Sequence, residues 1–556
     1  GSCRAMAKVA DLPKPELGIP PGEAAERFDR LQKKLVRMWG SMREMTADER
    51  SIVVVPSQST EFDIKGAEVQ AYEERFLFLL LLLRQPRVRL IYVTSQTILP
   101  STIDYYLGLL PGVIPRHARA RLFLVAPEDR SPRPLSLKLL ERPNLIEHIR
   151  SLIPDPENAH LVPYNTTELE RDLALRLGIP MYATDPKFFH YGTKSGCRRL
   201  FAEEGVNHPL GVENLGSIED VTDAIRQMRR EKPGLGEVFV KLNEGISGEG
   251  NAAVALGGLP SPGSAGEAEA IGERVRDMRL EYDGATYENY VAKLAERGGI
   301  VEERISGLEF RSPSVQLRTT PLGELELLST HDQILGGPTG QLYAGCRFPA
   351  DAAYAAAITG EALKIGDRLA REGVLGRFAV DFVAVRKSDG AWDAYAIELN
   401  LRKGGTTHPF LTLQFLTDGA YDPEVGAFVA PSGRHKHFVA SDHLESPYYR
   451  VFSPDDLFDI VVRHKLHFDQ TRQTGVVFHM LATLAENGRI GVTAVGDSVE
   501  EANELFARTR AALDEEATAA LELHRLPALE PGGEPGSMVA SPDPPAARGR
   551  AQRRLG

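Results

Sequence analysis

A chain of 556 residues is long enough for about three domains. With 42% hydrophobic and 26% charged residues, its composition is that of an ordinary globular protein. A formal net charge of −12 lacks the basic excess of a general nucleic-acid binder.

The leading GSCRAMA reads as an expression scar before Met6, and residues 1–49 comprise it and a first helix. Phe28, Leu31, Leu35 and Met38 recur at helical spacing over 21–45. No signal peptide is expected before them. SIVVVPS (51–57), RLIYVTS (89–95), RLFLVAP (121–127) and HLVPYN (160–165) read as buried strands, and LIEHIRSLI (145–153) as a short helix. The run FLFLLLLL (76–83), between Arg75 and Arg84, is too short to span a bilayer. It is expected as a helix buried on most faces, so no membrane partner is implied. Strands alternating with helices imply a parallel α/β domain over 50–183. Cys3, Cys197 and Cys346 match no zinc spacing and suit a reducing cytoplasm.

A helix is expected from about Lys194 to Glu204, stopped by Gly205, and another over 218–230. EVFVKLNEGISGEGN (237–251) carries Lys241 on an apolar run into a loop with Gly245, Ser247, Gly248 and Gly250. Such glycines let backbone N–H groups approach phosphate oxygens, although a plain hairpin turn has the same composition. No Gly-Lys-Ser/Thr closes the loop, so it is not a Walker motif. A Gly/Pro/Ser-rich insertion (257–266) precedes a charged helix near Glu288 to Glu296. GIVEERISGLEF (299–310) reads as a charged edge strand with Glu302, Glu303, Ile305 and Glu309. Its backbone could also pair with an adenine edge.

Arg311, Ser314 and Gln316 alternate on the next strand. His331, Asp332 and Gln333 end an apolar run, as a strand-end hydrogen-bond cluster or facing a ligand. Asp381 opens an alternating run, and a second run ends in ELNLR with Glu398, Asn400 and Arg402 on one face. Paired antiparallel, these runs would bring Asp381 to Glu398 and Asn400. That is either a solvated strand face or a set of hard oxygen ligands for Mg²⁺. Arg402 could grip a phosphate or carboxylate. Residues 416–452 look irregular, and 455–469 helical with Leu457, Ile460, Val461 and His464 on one side. A strand, an Asn487-Gly488 turn, a strand and a helix with Ser498 and Glu501 in a capping box follow. His443, His464, His467 and His479 show no ligand spacing and read as ordinary strand or helix histidines. The tail from 526 is expected to be disordered.

The order of the Lys241 strand, glycine loop, Glu-rich strand, Asp strand and E-x-N strand resembles the ATP-grasp superfamily. STHDQILGG, AGCRFPA and IELNLRKGGTTHPF look like the pheganomycin-type peptide ligases. The resemblance covers about residues 50–520. It implies an α/β chain (α+β in the core): a pre-ATP-grasp domain over 50–183, then two subdomains, 184–310 and 311–525, clasping ATP. The implied activity joins a carboxylic acid or amino acid to an amine or peptide acceptor through an acyl phosphate, releasing ADP and phosphate. By the same resemblance Asp381, Glu398 and Asn400 hold one or two Mg²⁺ ions. Lys241, with Lys194 or Lys187, meets the ATP phosphates, and Gly245, Ser247 and Gly248 close over them. Glu302, Glu303, Ile305, Glu309 and Gln333 belong to the nucleotide site. Arg402 is the first catalytic candidate. Arg377, four before Asp381, is the second, with a helix-end or loop role as its alternative. The insertion 257–266 departs from the family's lid geometry. A homodimer is compatible with the sequence. An ATP-grasp kinase and a catalytically silent ATP-binding regulator are the rival readings.

Overall fold

The computed structural model describes residues 9–44, 49–60, 64–109, 112–245, 250–282 and 284–524. The expected scar, Ser247, Gly248 and the tail therefore lie outside the described residues. Strands Arg50–Val55, Val88–Val93, Leu122–Val125 and Ala159–Pro163 form a parallel sheet in the order third, second, first, fourth. The chain builds outward on one side of the first strand and then returns to its other side. That reversal opens a crevice at the carboxyl ends of the first and fourth strands. Ser59 and Asn165 meet there. The Ser59 amide donates to Asn165 Oδ1 at 3.1 Å, and Asn165 Nδ2 donates back to the Ser59 carbonyl at 2.8 Å.

The leucine-rich run is buried as expected, but in a different helix type. Ala67–Glu73 is α-helical, whereas the eleven residues Glu74–Arg84 wind as a 3₁₀ helix. That is long for a 3₁₀ segment. Every residue from Glu74 to Leu83 is buried, so no face has to be polar. The run packs between Ile52, Val54, Leu90 and Tyr92 of the parallel sheet and Phe410, Leu411 and Leu413 of helix Thr407–Thr417. Each buried leucine contributes about 1.5–3 kcal/mol.

An antiparallel five-stranded sheet follows, in the order Gly211–Leu215, Gly299–Glu303, Glu237–Leu242, Asn251–Ala255, Arg279–Leu280. Helices Ile218–Glu231 and Glu267–Arg276 close its core. A ten-stranded sheet holds the rest, with Trp392–Asn400, Gly376–Arg386, Glu309–Thr319, Leu325–Gly336 and Leu342–Phe348 as consecutive neighbours. Helices Lys194–Glu203 and Ala352–Glu372 cover one face of that run of strands.

Residues 416–452 are not irregular. They contain strands Ala420–Asp422, Ala427–Val429 and His435–Glu445. In the last, Lys436, Phe438, Ala440, Asp442 and Leu444 form the buried face. Two charges on that face hide the apolar alternation that would mark a strand. The helix expected to reach 469 ends at Arg463. The expected tight turn at Asn487-Gly488 is preceded by helical turns Leu481–Thr483 and Leu484–Asn487. Ser498 Oγ caps the last helix, accepting from the Glu501 amide at 3.0 Å, but the Glu501 carboxylate takes the Asp497 amide and leaves the box half made.

Candidate active site

The two alternating runs pair antiparallel, with Asp381 opposite Glu398 and Ala379 opposite Asn400. The register is regular from Ala379 to Asp381, so Glu398 stands opposite the aspartate and Asn400 diagonal to it, and a bulge follows between Asp381 and Phe382. Asn400 Nδ2 donates to Asp381 Oδ2 at 3.0 Å, and Gln333 Nε2 donates to Asp381 Oδ1 at 2.9 Å. Ser314 lies opposite Asp381 on the other neighbouring strand, and Gln316 Nε2 donates to Ser314 Oγ at 3.3 Å. Arg402 Nη2 reaches Asn400 Oδ1 at 3.4 Å. Seven of the residues singled out from the sequence therefore share one patch.

Charge at this patch is divided unevenly. Burial and the neighbouring Glu398 push Asp381 up to about 6. Burial would raise Glu398 too, but the Lys194 ammonium, aided by Arg402 and Lys241, holds it below the usual carboxylate range. Lys194 Nζ is ion-paired directly to Glu398 Oε1. Lys194 opens the helix capped by Thr193, and its backbone amide donates to the Asn243 carbonyl at 3.1 Å. It thus spans from the end of the Lys241 strand to the carboxylates of the other sheet. Lys187, the alternative, pairs with Asp185 at the surface.

Lys241 is buried at the far wall, ion-paired to Glu302 Oε1. Glu302 Oε2 accepts from Arg198 Nη1 at 3.0 Å. Both oxygens of Glu302 are thus committed to cations, and Lys241, Arg198 and Lys194 outweigh burial to keep it ionised. A carboxylate holding two cations is part of the wall of the site. Glu303 pairs with Lys232 at 2.6 Å and accepts from the Leu210 amide at 3.1 Å. Lys241, Glu302, Glu303 and Ile305 line a cleft with Phe239, Phe310, Val383 and Ile397 that is partly open to solvent. Arg304 lies over the Phe239 ring at 5.5 Å. Gly245 lies close to Gly250, where a Cβ on it would meet the Gly250 amide nitrogen at 3.3 Å.

Other candidates fall elsewhere. Glu309 is tied to Arg386 at 2.7 Å and Arg311 at 3.2 Å on the strand's outer end. Arg377 lies opposite Arg318, and burial and Arg318 push it down to about 9. Among the described residues no hydrogen bond or ion pair joins it to Asp381. His331 is buried against Ser329 and the rings of Phe348 and Phe438. Asp332 holds the Asp351 amide and the Tyr354 hydroxyl. Lys403 Nζ donates to the Pro163 carbonyl at 2.7 Å and its amide to the Tyr164 carbonyl at 3.3 Å. Those contacts seat the Arg402 segment on the carboxyl end of the fourth parallel strand. Arg198 and Asn243 were missed by sequence reasoning: Arg198 lies in no motif, and Asn243, two residues after Lys241 within 237–251, was not singled out. Arg198 follows Lys194 by one helical turn, which was the available signal.

The family model described as "IQCH-like, ATP-grasp" matches residues 277–424, and "PGM1 C-terminal domain" matches 456–509. The L-propargylglycine–L-glutamate ligase of Streptantibioticus cattleyicolor is 30% identical over 440 residues, covering 77% of this chain and 86% of that protein. This chain belongs to the ATP-grasp carboxylate–amine ligases. The IQ motif-containing protein H of Danio rerio is 23% identical to this ligase, over 68% of the chain and 39% of that larger protein. A biotin carboxylase–ATP complex from Campylobacter jejuni superposes with a TM-score of 0.50 at 13% identity, over 84% of the ligase and 92% of that chain. The last likeness shows the fold. Among the described residues no helix of the ligase is long and apolar enough to cross a membrane.

Proposed function

We propose that the ligase forms an acyl phosphate from a carboxylic acid and ATP, and transfers the acyl group to an amine. The carrying observation is the meeting of Asp381, Glu398, Asn400 and Lys194 at the seam of two sheets. The donor set suits Mg²⁺: two carboxylates and an amide, all able to offer hard oxygen. Asn400 turns its nitrogen to Asp381 here, so its oxygen would serve after an amide rotation. Bound there, Mg²⁺ would neutralise charge on the transferring phosphoryl group.

The chain's own side chains do the rest. Lys241, fixed by Glu302, presents positive charge to the phosphates from the cleft wall. Phe239, Ile305 and Phe310 give the nucleotide base an apolar slot. Arg402, beside Asn400, faces the position where the acyl oxygen gains charge, and the cation stabilises it there. The acid enters from the crevice of the parallel sheet, because Lys403 ties Arg402 to Pro163 and Tyr164 at that edge. The pieces 50–183, 184–310 and 311–525 would then act as acid-side, nucleotide and metal units. By analogy with the named relative, both substrates are amino acids.

The test is product analysis with Mg-ATP, an amino-acid pool and hydroxylamine. The expected result is an amino-acid hydroxamate with equimolar ADP. AMP and pyrophosphate would replace the acyl phosphate with an adenylate, and ADP without hydroxamate would indicate a kinase.

A further inference from the structure

We propose a second metal site, separate from the phosphoryl-transfer carboxylates, in which His408, Asp442 and His479 bind one divalent transition-metal ion of the zinc type. The three residues are far apart in sequence, and three elements deliver them. His408 stands in the first turn of helix Thr407–Thr417, Asp442 on the buried face of His435–Glu445, and His479 at the end of Gly475–His479. All three are buried, and their ligand atoms converge on a single point. His408 Nε2 lies 3.0 Å from Asp442 Oδ1 and 3.0 Å from His479 Nε2, and His479 Nε2 lies 2.5 Å from the same Oδ1.

Hydrogen bonding alone accounts poorly for this triangle. Two imidazole nitrogens aimed at one oxygen and at each other cannot both carry protons without the protons facing one another. Leaving one bare makes a lone pair converge with a carboxylate oxygen on the same point. His408 Nδ1 is buried with no hydrogen-bond partner, so the His408 ring is held only through its Nε2 side. A cation satisfies all three atoms together. With bonds of about 2.0–2.1 Å it would stand above the triangle, its bonds meeting at roughly right angles. Two histidines and one carboxylate on one face of an ion form a recurrent transition-metal arrangement. Nitrogen donors select such an ion over Mg²⁺, which takes oxygen.

The surroundings make Asp442 a one-oxygen ligand. Arg75 Nη1 takes its other oxygen at 3.1 Å, and Arg489 Nε donates to its backbone carbonyl at 2.8 Å. Gly491 packs so closely beneath the His479 ring that a Cβ there would lie 2.1 Å from Nε2. The ion would tie the helix that follows Arg402 to two strands of the large sheet and, through Arg75, to the 3₁₀ segment. Its role is that of a clamp on the Arg402 segment.

Metal analysis of the full chain after exhaustive dialysis, followed by Co²⁺ titration, tests the assignment. The expected result is one equivalent of retained zinc, or one saturable Co²⁺ equivalent with visible d–d bands. It should persist in Asp381→Asn and vanish in His479→Gln. No retained metal together with a featureless Co²⁺ titration overturns the site. So does metal lost in Asp381→Asn and kept in His479→Gln, which assigns it to the carboxylate patch. If His479→Gln does not fold, metal-edge X-ray absorption on the wild-type protein decides. A shell with histidine scattering supports the site, and an all-oxygen shell overturns it.

Discussion

Asp381 and Glu398 face each other across a bulged strand pair, yet only Glu398 has a cation of its own. Replacing Glu398 by Gln or Asp381 by Asn should cut ADP formation by at least about a hundredfold, the scale at which lost charge stabilisation is felt in catalysis. The circular dichroism spectrum and melting temperature should stay near wild type, because both side chains are only partly buried. Unchanged ADP release in both variants would sink the assignment. Arg198 should behave differently. It is fully buried against Glu302, so Arg198→Met leaves Glu302 Oε2 without its cation while Lys241 still holds Oε1, and should cost roughly 3–5 kcal/mol. A thermal shift no larger than that of Arg371→Met, an exposed residue, would refute this. Much of the patch was legible in the sequence, because strand alternation puts Glu398, Asn400 and Arg402 on one face and their pairing with Asp381 follows from one hairpin. Arg198 and the His408–Asp442–His479 cluster were not legible. Both depend on contacts between elements distant in the chain; the helical spacing of Arg198 from Lys194 gives its face but not its partner Glu302, and no spacing encodes the histidine cluster.

At the scale of elements, the junction of the α-helix and the 3₁₀ segment carries two carboxylates, Glu73 and Glu74, into an apolar layer. Burial pushes Glu73 up to about 7, its bonds to Ser95 limiting the rise, and burial plus Glu73 push Glu74 up to about 8. One oxygen of Glu74 has no hydrogen-bond partner. A carboxyl whose folded value exceeds its unfolded value contributes stability that is complete below about 4.5 and declines as pH rises towards 8. Glu74→Gln removes its share of that decline. Measured against wild type by denaturant midpoints, the variant should gain a few kcal/mol between pH 5 and 8.5. Parallel difference curves across that range would contradict it. The sequence showed that this run is buried but not how it winds. Amphipathic periodicity selects an α-helix, and a segment apolar on all sides has no such period to read. The same blindness in reverse concealed His435–Glu445, where Lys436 and Asp442 occupy inward positions.

At the scale of the whole molecule, the leucine run joins the parallel sheet to the sheet that carries the carboxylates. Leu80→Ala should cost about 2–5 kcal/mol and loosen that junction. Faster proteolysis between the parallel-sheet unit and the rest, with nucleotide binding largely kept, is the expected signature. Cleavage no faster than wild type would show that the run is not the seam. The other junction, between the nucleotide cleft and the large sheet, is spanned by the Lys194–Glu398 pair. A protein that supplies its own counter-ion to an acidic patch makes any incoming cation compete with it. Free Mg²⁺ must then displace an ammonium, whereas Mg²⁺ arriving with a polyphosphate offers that ammonium a new anion in exchange. Order of addition is thereby written into the resting electrostatics, with the metal entering as the nucleotide complex and not ahead of it. Lys194→Met should bind Mg²⁺ alone more tightly than wild type in calorimetry, while binding Mg-ATP more weakly.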